Sequence, residues 1–114
     1  MVVGMTLTPD TRLILVDDVI TSGKAIRESL DVLKRCSDPD VKGIIISVNR
    51  QERGVSRKNA LQEVEDTLGI PIHAIVTISE IKTALHNKKI NGTVVLDDAM
   101  SEKIDAYLAE YGAA

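Results

Sequence analysis

LILVDDVITSGKAIRES, residues Leu13 to Ser29, is the stretch on which the reading of this chain turns. Strands buried in a parallel sheet read as continuous apolar runs, so Leu13, Ile14, Leu15 and Val16 predict such a strand. Asp17 and Asp18 then fall at its carboxyl end, where open α/β sheets bind ligands. Thr21, Ser22 and Gly23 form a turn into a helix carrying Ile26, Leu30 and Leu33, and backbone N–H groups at such a helix start converge on anions. Two carboxylates beside an anion hole are compatible when one ligand offers hydroxyls to the acids and a phosphate to the turn. A ribose 5-phosphate has both.

This run of about a dozen positions resembles the phosphoribosyl pyrophosphate (PRPP) loop of the type I phosphoribosyltransferases. A second segment, Asn49-Arg50-Gln51-Glu52-Arg53-Gly54, follows a strand over Gly43–Val48 and is similar to the DRQERG segment of the orotate phosphoribosyltransferases. The resemblance covers nearly all of residues 1–114, but it matches only the carboxyl-terminal half of that enzyme. It implies a partial type I phosphoribosyltransferase (Rossmann-like) core. The expected activity is transfer of the 5-phosphoribosyl group from PRPP to orotate, giving orotidine 5-monophosphate and pyrophosphate in pyrimidine biosynthesis, with Mg2+ carried on PRPP and a homodimeric assembly.

Carried over residue by residue, the resemblance gives Asp17 and Asp18 the ribose hydroxyls and an electrostatic role at the carbon where positive charge develops. Asp17, Asp18, Val19, Ile20, Thr21, Ser22, Gly23, Lys24 and Ala25 form the PRPP-binding set, and Thr21 and Arg50 contact orotate. No residue is assigned to a metal. Lys24 stands where the family often has Thr, which replaces a hydroxyl contact by a cation or leaves an exposed lysine at a helix start. For Gln51, Glu52 and Arg53, a loop-stabilising network is the favoured reading.

The rest of the chain alternates strands and helices, which predicts an α/β domain over 1–114: a parallel sheet with helices on both faces. The pattern gives a strand over Arg12–Val16, a helix from about Ala25 to Arg35, a helix with Ala60, Leu61, Val64 and Leu68 on one side ending at Gly69, and a strand over Pro71–Ile78. Ser79 is expected to cap a short helix through His86. Asn91-Gly92 reads as a turn into a fourth strand, Thr93–Leu96, and Ser101 as the cap of a last helix that ends at Gly112 in a left-handed conformation. Asp97 and Asp98 read as a cap and its approach, and neither His73 nor His86 receives a role.

Composition narrows the function classes. With 14 basic against 17 acidic residues and only Tyr107 and Tyr111 as aromatics, the chain has neither a general attraction to nucleic acid nor stacking platforms for bases. The single Cys36 makes no internal disulfide and is expected to be structural in a reducing, cytoplasmic setting. No apolar stretch approaches the roughly 20 residues of a membrane span. A receiver-like phosphoacceptor module shares the LILVDD run, but the strand where its acceptor Asp belongs ends at Asn49. A PRPP-sensing regulatory domain keeps the loop without catalysis, and a nucleotide P-loop fails because Gly23-Lys24 lacks the following Ser or Thr.

The resembled enzyme also has a basic mobile loop and further PRPP contacts that have no counterpart in these 114 residues. A phosphate turn and two carboxylates supply a few kcal/mol, enough for roughly millimolar to high micromolar binding, whereas enzymatic acceleration takes about 8–23 kcal/mol. The expectation for the isolated chain is therefore weak PRPP binding without appreciable turnover.

Overall fold

The structure is a computed structural model, and it describes residues 3–20, 23–54 and 58–113. Three parallel strands, β1 (Arg12–Asp17), β2 (Asp40–Asn49) and β3 (Ile72–Thr77), form one sheet in the order β1-β2-β3. Helix α1 (Lys24–Cys36) connects the first two strands and α2 (Ala60–Leu68) the second two. Both crossovers step across the sheet in the same direction, so their shared right-handedness places both helices on one face.

That face holds the core. Ile44 and Ile46 of β2 and Ile72 of β3 are buried against Ile26 of α1 and Val64 of α2, with Leu15, Leu30, Leu61, Leu68 and Ala74 packed around them. The continuous apolar run of β1 behaves differently from a strand covered twice. Its burial alternates, with Leu13 and Leu15 half-buried on the helix side while Ile14 and Val16 point to solvent. The layer expected over the second face is not supplied at those positions by the described residues.

Helix α3 (Ile78–Leu85) is capped by Thr77, not by Ser79. Thr77 Oγ1 accepts from the Glu80 N–H at 3.1 Å and Glu80 Oε1 accepts from the Thr77 N–H at 3.0 Å. The Thr-x-x-Glu spacing makes this reciprocal pair possible, and a cap at Ser79 would forfeit it.

The fourth strand of the sequence reading is corrected to a separate hairpin. β4 (Lys89–Ile90) and β5 (Thr93–Val94) pair antiparallel, outside the main sheet. Asn91 and Gly92 both have positive φ, the signature of a two-residue hairpin turn, and strands joined that tightly cannot run parallel. Leu96 makes only an isolated parallel bridge to His86.

Helix α4 (Asp98–Tyr111) is capped by Asp97, whose Oδ1 accepts from the Met100 N–H at 2.9 Å. Ser101, expected to be the cap, lies one turn inside the helix and is buried. Gly112 is extended rather than left-handed, and a β-carbon there would lie 2.3 Å from the Leu108 carbonyl oxygen, so close approach explains the glycine. Gly69 does end α2 in the left-handed conformation, and Cys36 is exposed at the end of α1. Removing the cap with Asp97→Ala is expected to cost about 1 kcal/mol of stability, measurable by urea denaturation.

Candidate functional site

Strand β1 delivers its two acids to the carboxyl edge of the sheet. Asp17 pairs with Ile46 of β2, and the Asp18 carbonyl accepts hydrogen bonds from the N–H groups of Ser47 and Val48 at 2.9 and 3.2 Å, which ties the strand end to the central strand. The side chains curl back on the backbone. Asp17 Oδ1 accepts from the Asp18 N–H at 2.8 Å, and Asp18 Oδ1 accepts from the Val19 N–H at 2.7 Å.

The Val19 N–H, followed by the contact with Asp17, holds the Asp18 carboxyl below the usual carboxylate range. A lowered value keeps the charged, acceptor-only form at neutral pH. Its contribution is complete above the unfolded-state value and disappears as pH falls through the folded one.

Asp17, Val19, Ile20, Gly23, Lys24, Ala25, Ile26 and Glu28 line one cleft of about 320 Å³. Of the sequence-predicted PRPP residues, the cleft brings together Asp17, Val19, Ile20, Gly23, Lys24 and Ala25, whereas Asp18 is not among its lining residues. Thr21 and Ser22 lie outside the described residues. Gly23 is buried at the start of α1 with φ +78°, and a β-carbon there would lie 2.8 Å from Cγ2 of the buried Val64. Its glycine character thus serves the packing of α1 against α2 as well as the turn. Lys24 opens the helix, with Nζ 3.9 Å from Glu28 Oε1 one turn along.

Arg50 stands just beyond β2, at the same edge of the sheet, but it lines a neighbouring cleft with Ile78, Lys103, Ile104 and Tyr107. Its Nη2 is 2.6 Å from Glu52 Oε1 and donates to the Tyr107 hydroxyl at 3.1 Å, while that hydroxyl donates to Glu52 at 2.5 Å. The Glu52 contact, with desolvation behind it, pushes the Tyr107 phenol up from its ordinary value. Tyr107 was invisible to sequence reasoning: it lies 57 positions from Arg50, and no local spacing connects them.

Gln51, Glu52 and Arg53 serve as staples. Gln51 has φ +56°, and its Oε1 accepts from the N–H and hydroxyl of Ser79 at 2.9 and 2.5 Å. The Glu52 carbonyl accepts from the Ala60 N–H at 2.8 Å, and the Arg53 N–H donates to the Tyr111 carbonyl at 2.8 Å. Arg53 Nη2 also donates to the carbonyl of Glu110. The loop is thereby fastened to α2, α3 and α4. Because the Tyr107 hydroxyl bridges Arg50 and Glu52, Tyr107→Phe is expected to lower the midpoint of urea denaturation, the bridge being lost.

Elsewhere, His86 Nε2 lies 2.8 Å from Asp98 Oδ1, which also accepts from Asn87 Nδ2 at 2.9 Å, and these contacts lower the Asp98 carboxyl. They join the end of α3 to the start of α4. His73 is exposed on the side of β3 away from the core. Among the described residues no group of three or more His, Cys, Asp or Glu side chains could hold a metal ion, and no helix is long and apolar enough to cross a membrane.

The crystal structure of orotate phosphoribosyltransferase from Francisella tularensis superimposes on this chain with a TM-score of 0.65 at 27% identity, covering 89% of this chain and 46% of that one. The parallel sheet and crossover helices fit part of the α/β core of the type I phosphoribosyltransferase fold. No family model matches the chain. An orotate phosphoribosyltransferase of Clostridium botulinum (strain Eklund 17B / Type B) is 43% identical over 110 residues, which are 96% of this chain and 49% of the relative. That of Clostridium acetobutylicum is 44% identical over 109 residues, with the same two coverages. This chain is thus homologous to the orotate phosphoribosyltransferases over nearly its whole length, and it spans about half the length of the curated relatives it matches.

Proposed function

We propose that this chain carries the PRPP-binding loop and part of the orotate-binding surface of an orotate phosphoribosyltransferase, as one domain over residues 1–114 corresponding to the carboxyl-terminal part of that enzyme's core. The observation that supports this most is the cleft in which Asp17 at the end of β1 meets Gly23, Lys24 and Ala25 at the start of α1. Asp17 for a pentose and the start of α1 for a phosphate there share one small volume.

In this reading the 5-phosphate accepts hydrogen bonds from backbone amides over residues 21–25, and N–H donors to an ionised oxygen contribute about 1.5–3 kcal/mol each. Asp17 and Asp18, both acceptors when charged, orient the ribose hydroxyls and stabilise positive charge at the anomeric carbon as pyrophosphate departs. Orotate forms the new bond at that carbon, its carboxylate matched by the Arg50 fork. To reach orotate, Arg50 exchanges part of its pairing with Glu52 and Tyr107 for the substrate. Mg2+ enters on PRPP, as part of the substrate. The setting is cytoplasmic and the complete enzyme a homodimer.

The chain by itself binds PRPP at roughly millimolar to high micromolar strength and does not turn it over, because the acid pair and turn supply only a few kcal/mol. Calorimetric titration with Mg-PRPP tests this. Asp18→Asn is expected to weaken binding about tenfold, the loss of one charge-assisted hydrogen bond. Unchanged affinity in Asp18→Asn, or no binding by the unaltered chain, contradicts the reading.

A further inference from the structure

Among the described residues, Arg50 is held from one side only. Its Nη2 lies 2.6 Å from Glu52 Oε1 and 3.1 Å from the Tyr107 hydroxyl, and those two oxygens are themselves 2.5 Å apart. A triangle with these sides sets both acceptors within an angle at Nη2 much narrower than the spread of its two N–H bonds, so they share one hydrogen. A guanidinium offers a carboxylate two paired edges, Nη1 with Nη2 and Nε with Nη2. With a single Nη2 hydrogen engaged, one of those edges stays whole. Arg50 is therefore oriented and still able to bind.

The two oxygens that hold it are fixed from outside its cleft or from the far wall of it. The Glu52 side chain is 24% exposed against 43% for Arg50, and Glu52 does not line the cleft of Arg50, Ile78, Lys103, Ile104 and Tyr107. Its backbone is pinned twice, by the Ala60 N–H at the start of α2 and by a bridge to Gly112 after α4. Tyr107 belongs to α4, whose end grips the same loop: the Tyr111 carbonyl accepts from the Arg53 N–H and the Ala113 N–H donates to the Gln51 carbonyl, both at 2.8 Å. The Tyr107 ring rests against that of Tyr111 with centroids 4.9 Å apart. A free arginine side chain loses rotamer freedom when it meets a ligand, whereas one already held has lost it beforehand.

We propose that Glu52 and Tyr107 are positioning residues for Arg50: the Glu52 carboxylate, braced by the Tyr107 hydroxyl, holds one edge of the guanidinium so that the other takes the carboxylate of a planar acceptor base in the cleft. The inference rests on the orotate reading of Arg50 and adds α4 to the elements that set acceptor affinity. The pairing Arg50 gives up on meeting the ligand is the longer Tyr107 contact. The hydroxyl keeps its bond to Glu52, so no group is left without a partner.

The test titrates the full 114-residue chain with orotate, following the Arg50 Nε–H and neighbouring amide signals, with urea denaturation and an Mg-PRPP titration of each variant. Glu52→Gln keeps the side chain's shape and removes its charge; it should weaken orotate binding about tenfold, and Tyr107→Phe about threefold, with PRPP affinity unchanged in both. Asp98→Asn weakens the joint that His86 and Asn87 make with the start of α4. It should lower the urea midpoint and leave orotate affinity alone, which separates positioning from stability. Orotate affinity that is unchanged in Glu52→Gln overturns the proposal, and tighter binding also does, since Glu52 would then be a competitor for Arg50. A loss in Asp98→Asn equal to that in Tyr107→Phe overturns it as well. An unaltered chain that does not respond to orotate defeats the functional reading and this assignment together, whereas a response indifferent to Glu52→Gln defeats this assignment alone.

Discussion

Gly23→Ala is expected to lower the unfolding free energy by about 2–5 kcal/mol and to abolish detectable PRPP binding. Two costs combine in that figure: a left-handed backbone costs a non-glycine residue roughly 1–2 kcal/mol, and overpacking a core costs roughly 1–3 kcal/mol more. The φ of +78° invokes the first, and the 2.8 Å approach of a β-carbon to Val64 the second. Gly69→Ala separates them, since Gly69 has φ +67° but open space around it. Urea denaturation of both variants should show Gly23→Ala clearly the worse. Equal losses would mean that α1 and α2 are not in contact at this point. On the proposed function, relief of the clash is also expected to shift the first turn of α1, whose Lys24 and Ala25 line the cleft, so that binding falls with stability.

The second large effect is expected at Ile46, which is 1% exposed in the middle of β2, beside Asp17 on one side and Ala74 on the other. Ile46→Ala removes buried methyl groups and leaves a cavity, at a cost of about 2–5 kcal/mol. Ile75→Ala, on the open face of the same sheet, should change stability by no more than about 0.5 kcal/mol in the isolated chain. The contrast is diagnostic of the one-sided core. Comparable losses at the two positions in denaturation experiments would show that the second face is covered. Because Ile46 is the register partner of Asp17, the proposed function predicts that Ile46→Ala also weakens PRPP binding, although Ile46 is not itself one of the proposed ligand contacts.

Much of this was legible before any coordinates. The first three strands and first two helices carry strong periodicity, bounded by Asp17-Asp18, Pro39, Gly69 and Pro71, and the structure has them within a few residues of their expected places. The carboxyl-terminal third was read less well for a local reason. Its hairpin strands are only two residues long, too short for periodicity to register, and Thr77 outcompetes Ser79 as a cap through a side chain three positions ahead. Of the two caps the sequence offers for the last helix, Asp97 is the one at the true boundary, while Ser101, which resembles a cap because a serine precedes an apolar helix, is buried inside it.

In the candidate site, Asp17, Asp18, Gly23 and Arg50 can be nominated from sequence because they are adjacent in it or tied to strand ends. The partners that position them were not. Val64 against Gly23 and Tyr107 against Arg50 are contacts across tens of residues, and nothing local announces them. The one-sided burial of β1 was also hidden, since an apolar run records the cover a strand is built to receive, not the cover present in a given stretch of chain.

Amide chemical shifts of the isotopically labelled chain during titration with Mg-PRPP give the most direct test of the phosphate-and-pentose site. Saturable shifts concentrated at Gly23, Lys24, Ala25 and the Asp17-Asp18 pair, and absent in Asp18→Asn at the same concentrations, are the predicted result. A titration that leaves those amides in place, or moves only residues elsewhere in the sheet, would contradict it.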